Sequence, residues 1–278
     1  MQIKFWGTRG DIPAPEKDKL KFGGNTLCIE VIGDDPKIKI YIDAGIGLML
    51  AGKQMDPEVN MYHIVLTHFH WDHVQGVLPF VPLFIPTNKI FFYGYASTEH
   101  ELKEYLNTLY LYVFSPLRTI DFYASKIYYK PIQIGTKFEL NGVEFESVQL
   151  EHGDFTLGYK VSNGNKSFLL ASDHEVKENS YLQRKLVEAA KGVDLLIHDC
   201  KFNERDYKLN RNQGHSGILQ ALETAKSAGV KKLGLIHYHP SYSDGNIQAM
   251  IDYANDREPG IQTFGCREGM IIKFDKES

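Results

Sequence analysis

The stretch HIVLTHFHWDHVQG, from His63 to Gly76, crowds polar residues against the end of an apolar run. Within six residues it contains His68, His70, Asp72 and His73. Desolvating four such side chains beside a buried strand is costly unless something binds them. Imidazole and carboxylate donors suit Zn, Mn or Fe, and no cysteine is near. A lone histidine is usually a core residue, but this cluster predicts a metal site.

Composition excludes several classes of protein. The chain has 278 residues and a net charge of −4, which gives no basic face of the kind that nucleic-acid binding requires. Its three cysteines include no CxxC pair, as expected for reduced thiols in a cytosol. The first residues have no apolar signal core, and the apolar segment GVLPFVPLFIP is short and broken by prolines. We expect a cytoplasmic protein with no membrane association, forming a single domain over residues 1–278.

The order of predicted elements favours an α+β fold. Strand patterns dominate the first two thirds, interrupted by a short helix after Asp43 and a helical pattern from Ser97 to Tyr110. The last third alternates helices and strands. Two blocks of strands, each followed by helices, are typical of two sheets packed face to face, and the expected architecture is a four-layer αββα sandwich.

Several predicted strands deliver a histidine or aspartate at their carboxyl ends. Ligand sites in sheet proteins form at such edges, because rigid strands fix the side chains that the following loops leave open. The residues concerned are His68, His152, Asp173, Asp199 and His237.

The spacing H-x-H-x-D-H places ligands on two sides of one loop, so the loop could serve two ions. One ion would take His68 and His70, and the other Asp72 and His73. A carboxylate can bridge two cations, so Asp173 is assigned that position, and His152 and His237 are candidates to complete the two sets. Two ions about 3.5–4 Å apart would share a water and lower its pKa toward neutrality.

THFHWDHVQG resembles the T-H-x-H-x-D-H-x-x-G signature of the metallo-β-lactamase superfamily. Other motifs occur along the chain in the order seen in the phosphodiesterase-like branch of this superfamily: GTRGDIPAP, FGGNTLCIEV, IDAGIG, LASDHE, LIHDC, GHS and LIHYHP. That branch includes ribonuclease Z, cyclic-phosphate phosphodiesterases and cyclic nucleotide phosphodiesterases. The resemblance implies an αββα fold with bound metal ions, and the histidine and carboxylate donors suit two divalent ions, Zn or Mn with Fe as an option. It also implies two ligand sets joined by Asp173, namely His68, His70 and His152, and Asp72, His73 and His237.

The GHS motif places His215 between a loop and a helix. In one interpretation these residues simply begin the helix, with Ser216 as N-cap. In the other, the motif is similar to the histidine-containing helix start of ribonuclease Z and its relatives, which implies a general acid near the scissile phosphate. We predict His215 and the metal ligand Asp72 as the catalytic residues.

Three further residues are expected around the ions. Asp43 and Asp199 either orient ligand histidines or serve as turn and cap residues. His239 stands where the branch carries aspartate; it either contacts substrate phosphate or replaces His237 as the ligand.

An aromatic-rich insertion spans about residues 96–126. Most of its aromatic side chains are expected in the core or a homodimer contact, and one or two could stack on a base. Those in and beside it are Tyr110, Tyr112, Phe114, Phe122, Tyr123 and Tyr128.

The function predicted from these features is a binuclear metal-dependent phosphodiesterase in which a metal-bridging hydroxide attacks small or cyclic nucleotide diesters. The alternatives are a ribonuclease Z-like RNA endonuclease, a thioester or lactone hydrolase, and a metal-bound sensor without turnover.

Overall fold

The computed structural model describes residues 1–111, 113, 115–153 and 155–274. These residues form the strands β1 (Gln2–Gly7), β2 (Cys28–Ile32), β3 (Ile38–Ile42), β4 (Met61–Val65), β5 (Lys89–Tyr95), β6 (Lys126–Ile132), β7 (Lys137–Leu140), β8 (Val143–Gln149), β9 (Leu157–Asn163), β10 (Lys166–Ala171), β11 (Leu195–Asp199), β12 (Lys232–Ile236), β13 (Gln262–Gly265) and β14 (Ile271–Lys273). The α-helices are α1 (Ile46–Lys53), α2 (Trp71–Val74), α3 (Glu99–Asn107), α4 (Tyr181–Ala190), α5 (Glu204–Leu209), α6 (Ile218–Ala228) and α7 (Asp244–Arg257).

The strands form two mixed sheets with matching topology. One sheet has the order β14-β1-β2-β3-β4-β5-β6, and the other has the order β13-β12-β11-β10-β9-β8-β7. In the first sheet the strands from β3 to β6 pair in parallel, and in the second the strands from β10 to β13 do so. The parallel strands of each sheet therefore end at a common edge, where the loops after β4, β10, β11 and β12 emerge.

Apolar side chains hold the sheets together and attach the helices. Ile40 of β3 and Ile197 of β11 belong to one buried cluster between the two sheets. Leu106 of α3 lies in a second cluster that covers the outer face of the first sheet, and Leu222 of α6 lies in a third on the outer face of the second sheet. This layering confirms the predicted αββα sandwich. The sequence pattern did not predict α5 or β13.

The aromatic-rich segment packs mainly against the first sheet. Tyr110 and Tyr123 are buried, and their hydroxyl oxygens lie 3.4 Å apart. Phe122 and Tyr128 are exposed, at 63% and 38%. The remaining two, Tyr112 and Phe114, lie outside the described residues. Of the helices that the structure describes, none is both long enough and apolar enough to span a membrane.

Candidate metal centre

The loop after β4 begins the site. β4 is buried for most of its length, and the chain then reaches His68 and the single helical turn α2, for which His70 is the N-cap residue. That turn points Asp72 and His73 into the protein, where both are buried, and leaves Trp71 outside at 54% exposure. The pattern HWDH thus places two exposed residues, His70 and Trp71, before two buried donors.

Asp173, which follows β10, lies between two groups of donors. On one side its Oδ2 is 3.1 Å from His73 Nε2, and its Oδ1 is 3.3 Å from His237 Nε2. On the other side its Oδ1 is 3.6 Å from His152 Nε2 and 4.0 Å from His68 Nε2. A carboxylate in this position can contact two ions at once.

The two groups are the triads that the resemblance implies. His70 Nδ1 lies 3.0 Å from His152 Nε2, and these two residues with His68 form one set whose donor atoms lie within 4.8 Å of one another. In the other set His237 Nε2 lies 3.1 Å from Asp72 Oδ2, and His73 completes the group. Each group could hold a metal ion, and Asp173 lies between the two groups.

Neighbouring groups direct the imidazole lone pairs inward. His73 Nδ1–H donates to Asp43 Oδ2 at 2.9 Å, and His152 Nδ1–H donates to the Gly214 carbonyl at 2.7 Å. A neutral imidazole that donates from Nδ1 carries its lone pair on Nε2, the atom that faces Asp173 in both residues. Such contacts fix the tautomer and orientation of metal-ligating histidines.

Buried donor atoms without a hydrogen-bond partner provide an independent test of the fit. Among the described residues these atoms include His68 Nε2, His73 Nε2 and Asp173 Oδ2. Buried polar atoms are nearly always paired in native proteins, and the binding of an ion is one recognised explanation for an exception. The residues present therefore fit divalent cations.

The triad of Asp72, His73 and His237 is strongly charge-paired. Burial opposes protonation of His237, but the Asp173 and Asp72 carboxylates outweigh it and raise the pKa of His237 to about 9. Burial likewise opposes the charge on Asp72, yet His73 and His237 hold the pKa of that carboxyl far below its usual range. The carboxylates of Asp72 and Asp173 therefore favour positive charge at this triad.

In the triad of His68, His70 and His152 the pKa values of the histidines are lowered. Burial is the main cause that lowers the pKa of His68, of His70 and of His152. Neutral imidazoles are the form in which histidine binds a metal. This triad therefore offers its donors without first releasing protons.

Backbone strain marks the same positions. Asp43, Asp173 and His237 have φ angles of 61°, 54° and 62°, in the left-handed region that residues other than glycine seldom occupy. Such conformations persist where the surroundings over-determine them, and they cluster at functional sites. Gly10 contributes to holding His237, because a Cβ at residue 10 would lie 2.3 Å from the His237 ring.

His215 lies beside both triads, and its ring packs 5.0 Å from that of His237. Its Nδ1–H donates to Asp199 Oδ2 at 2.7 Å, so that carboxylate orients His215. The alternative that Ser216 caps the helix is wrong, because α6 begins at Ile218 with Gly217 at the N-cap position. The Ser216 hydroxyl instead donates to the His174 carbonyl.

The structure separates the two histidines of HYHP. His237 points at Asp72 and Asp173, whereas the Nδ1 of half-buried His239 is paired with Ser241 Oγ at 2.7 Å. His239 therefore lies outside both triads, with its ring 5.9 Å from the Phe202 ring.

Sequence reasoning missed several contributors. Asp11 donates its backbone N–H to Asp72 Oδ2 at 2.8 Å, and Thr67 donates its hydroxyl to Asp43 at 2.9 Å. Gly214 supplies the carbonyl that orients His152. The glycine in the GHS motif was the one available signal, since the other contacts join distant parts of the chain.

Two packed mixed sheets carry oriented histidines at their common edge, and a family model described as the beta-lactamase superfamily domain matches residues 39–238. The chain belongs to the metallo-β-lactamase superfamily. Its superfamily and its ribonuclease Z relatives indicate a metal-dependent hydrolase, the enzyme class that the sequence predicted.

Individual relatives agree with this assignment. The ribonuclease Z of Thermococcus sibiricus is 25% identical over 293 aligned positions, which cover 87% of this chain and 87% of that protein. The metallo-β-lactamase fold protein YhfI from Bacillus subtilis superposes with a TM-score of 0.71 at 15% identity, covering 98% of both chains. A diphosphatase from the PhnP family superposes with a TM-score of 0.65 at 17% identity, covering 99% of this chain and 98% of the other. These two structures show a common fold.

Proposed function

We propose that the protein is a binuclear phosphodiesterase that acts on cyclic or other small nucleotide diesters. The observation that carries the proposal is the position of buried Asp173 between two triads of donors, of which all but His70 are buried. Zn and Mn suit these histidine and carboxylate donors best, and Fe is compatible with them. When bound, two such ions would supply Lewis acidity and a water activated for attack near neutral pH.

The protein's own residues would divide the work. The two triads would hold the ions, with Asp43 and the Gly214 carbonyl keeping His73 and His152 in the binding tautomer. His215 would donate a proton to the leaving oxygen from Nε2, since Asp199 already accepts the bond from its Nδ1–H. His239 would contact the substrate phosphate from the rim.

A small substrate is supported by charge and by the aromatic-rich segment. The net charge of −4 supplies little of the attraction that a long polyanion requires. Leu106 of α3 and Tyr110 are buried in the core against the first sheet. A segment packed against the sheet in this way is poorly suited to act as an arm that grips a folded RNA.

An RNA endonuclease of the ribonuclease Z kind is the second candidate. The alignment with the Thermococcus sibiricus enzyme, which covers 87% of this chain, favours it. The chemistry at phosphorus would be the same, and the two candidates differ in what binds around the metal centre.

The distinguishing experiment offers 2′,3′- and 3′,5′-cyclic nucleotides beside a 3′-extended tRNA precursor to protein of defined metal content. His68→Ala tests the centre, and His100→Ala, at an exposed position on α3, is the matched control. Turnover of cyclic nucleotides that is lost only in His68→Ala would support the proposal. Cleavage of the tRNA precursor alone would favour the nuclease, and no turnover of any of these substrates by the metal-loaded protein would refute both.

A further inference from the structure

We propose that Glu175 is a positioning residue. Through the loop 210–215 it fixes His152 and so the triad of His68, His70 and His152. The inference rests on the proposed metal centre and adds a residue two positions after Asp173. It starts from a buried carboxylate, since Glu175 is only 2% exposed. Burying a carboxylate is costly unless its oxygens are hydrogen-bonded.

Both oxygens of Glu175 accept backbone amides from the same loop. Oε1 accepts from the Asn212 N–H at 2.6 Å, and Oε2 accepts from the Gly214 N–H at 3.1 Å. Asn212 and Gly214 have φ angles of 65° and 82°, so the loop has a left-handed residue on each side of residue 213. A side chain that binds both amides stabilises this otherwise unfavourable backbone.

The loop held in this way reaches His152 directly. The Gly214 carbonyl accepts the His152 Nδ1–H at 2.7 Å, and a Cβ at Gly214 would lie 2.3 Å from that same nitrogen. The next residue along the loop is His215. Glu175 also donates its own backbone N–H to the Glu151 carbonyl, one residue before His152, at 2.9 Å.

Glu175 therefore connects the loop that carries His152, the loop that carries Asp173 and the loop that carries His215. Without its carboxylate, the Gly214 carbonyl would no longer be held in line with His152 Nδ1–H. The imidazole could then turn or change tautomer, and its Nε2 lone pair would no longer face the centre. The triad of Asp72, His73 and His237 meets this loop through the His237 ring, which stacks on His215 at 5.0 Å. Among the described residues, Asp72 and His73 have no hydrogen bond to the loop, so the binding of that triad should change less.

Zinc binding tests the inference without any substrate. Metal-free wild-type protein, Glu175→Gln and Glu178→Gln are titrated with zinc against a chromophoric chelator. Glu178 is the matched control because it is exposed on the same segment. In Glu175→Gln the amide group replaces one acceptor with a donor that faces a backbone N–H.

We expect wild type and Glu178→Gln to bind two zinc ions alike. In Glu175→Gln we expect one ion to bind about 10–100-fold more weakly, the usual effect of losing an outer contact of a metal ligand. The loss should persist when Asp72→Ala has already weakened the second triad and should disappear in a His70→Ala background. Cobalt(II) in place of zinc should show an altered absorption spectrum for one ion only.

Glu175→Gln with wild-type zinc affinity at both ions would overturn the inference, even if its melting temperature fell, because the role would then be structural alone. An equal loss at both ions would overturn it as well. Failure of the wild-type protein to bind zinc would instead reject the metal centre itself. Should Glu175→Gln not fold, Gly214→Ala disturbs the same carbonyl from the other side, and the same one-ion loss is expected.

Discussion

Replacing Asp43 with Asn should weaken metal binding without touching a ligand. Asp43 Oδ1 accepts the Thr67 N–H at 2.8 Å, and Oδ2 accepts the His73 Nδ1–H at 2.9 Å. In Asp43→Asn, the amide oxygen stays with Thr67, so the NH₂ group faces His73. Two donors then oppose each other, and His73 must either withdraw or move its proton to Nε2, the atom that faces Asp173.

The magnitude follows from that loss. Removing a carboxylate that orients a metal-ligating histidine lowers metal affinity about 10–100-fold, which corresponds to about 1.4–2.8 kcal/mol. The effect should appear at the triad that contains His73. Zinc affinity is measured by chelator competition, with Asp18→Asn at an exposed position as the control.

Thermal unfolding of the metal-free proteins, measured in parallel, separates a loss of zinc affinity from a loss of fold. If Asp43→Asn folds normally and binds both ions as tightly as wild type, Asp43 does not orient His73 for metal binding. The same conclusion follows if the weakened ion is the one held by His68, His70 and His152. In that case the loss would disappear in a His70→Ala background.

Three further outcomes are expected. His215→Gln should retain both ions but lose about 10²–10⁴-fold in kcat, as expected for a general acid; metal analysis and steady-state kinetics check this, and an unchanged kcat would exclude the role. Gly10→Ala should displace the His237 ring and weaken one ion, which a zinc titration would detect; unaltered binding would contradict the close contact. Burial lowers the pKa of His63 to about 4 in the folded protein, so the unfolded chain binds this proton more tightly. The folded state should therefore be fully stable, as far as this group is concerned, above about pH 6.5 and lose about 3 kcal/mol as the pH falls to 4. The free energy of unfolding, measured with urea across that range, should fall less steeply with falling pH in His63→Phe than in wild type. The same pH dependence in both proteins would show that His63 does not have a lowered pKa.

The αββα fold and the candidate donors were accessible from sequence because each depends on short-range pattern. An apolar strand followed by a histidine or aspartate identifies both the strand and the sheet edge. His68, His70, Asp72 and His73 also lie within one hexapeptide, so their proximity required no tertiary information.

Contacts between distant segments were not accessible. Glu175 reaches the backbone of residues 212–214, and no residue-type pattern encodes an amide partner 37 or 39 positions away. Ser216 failed as an N-cap for a similar reason, since a tertiary contact with His174 uses its hydroxyl. The strand β13 has a mostly exposed or half-buried pattern over four residues, too short and too polar for a periodic signal.

The most direct test of the central claim is phosphodiester hydrolysis by one preparation of protein before and after metal removal. Protein stripped with a chelator and then reconstituted with zinc or manganese is assayed with bis(p-nitrophenyl) phosphate, alongside Asp173→Ala and His100→Ala. Activity should disappear on stripping, return with two ions per chain, and remain absent in Asp173→Ala alone. Equal activity in the stripped protein, or full activity in Asp173→Ala, would contradict the proposed metal centre.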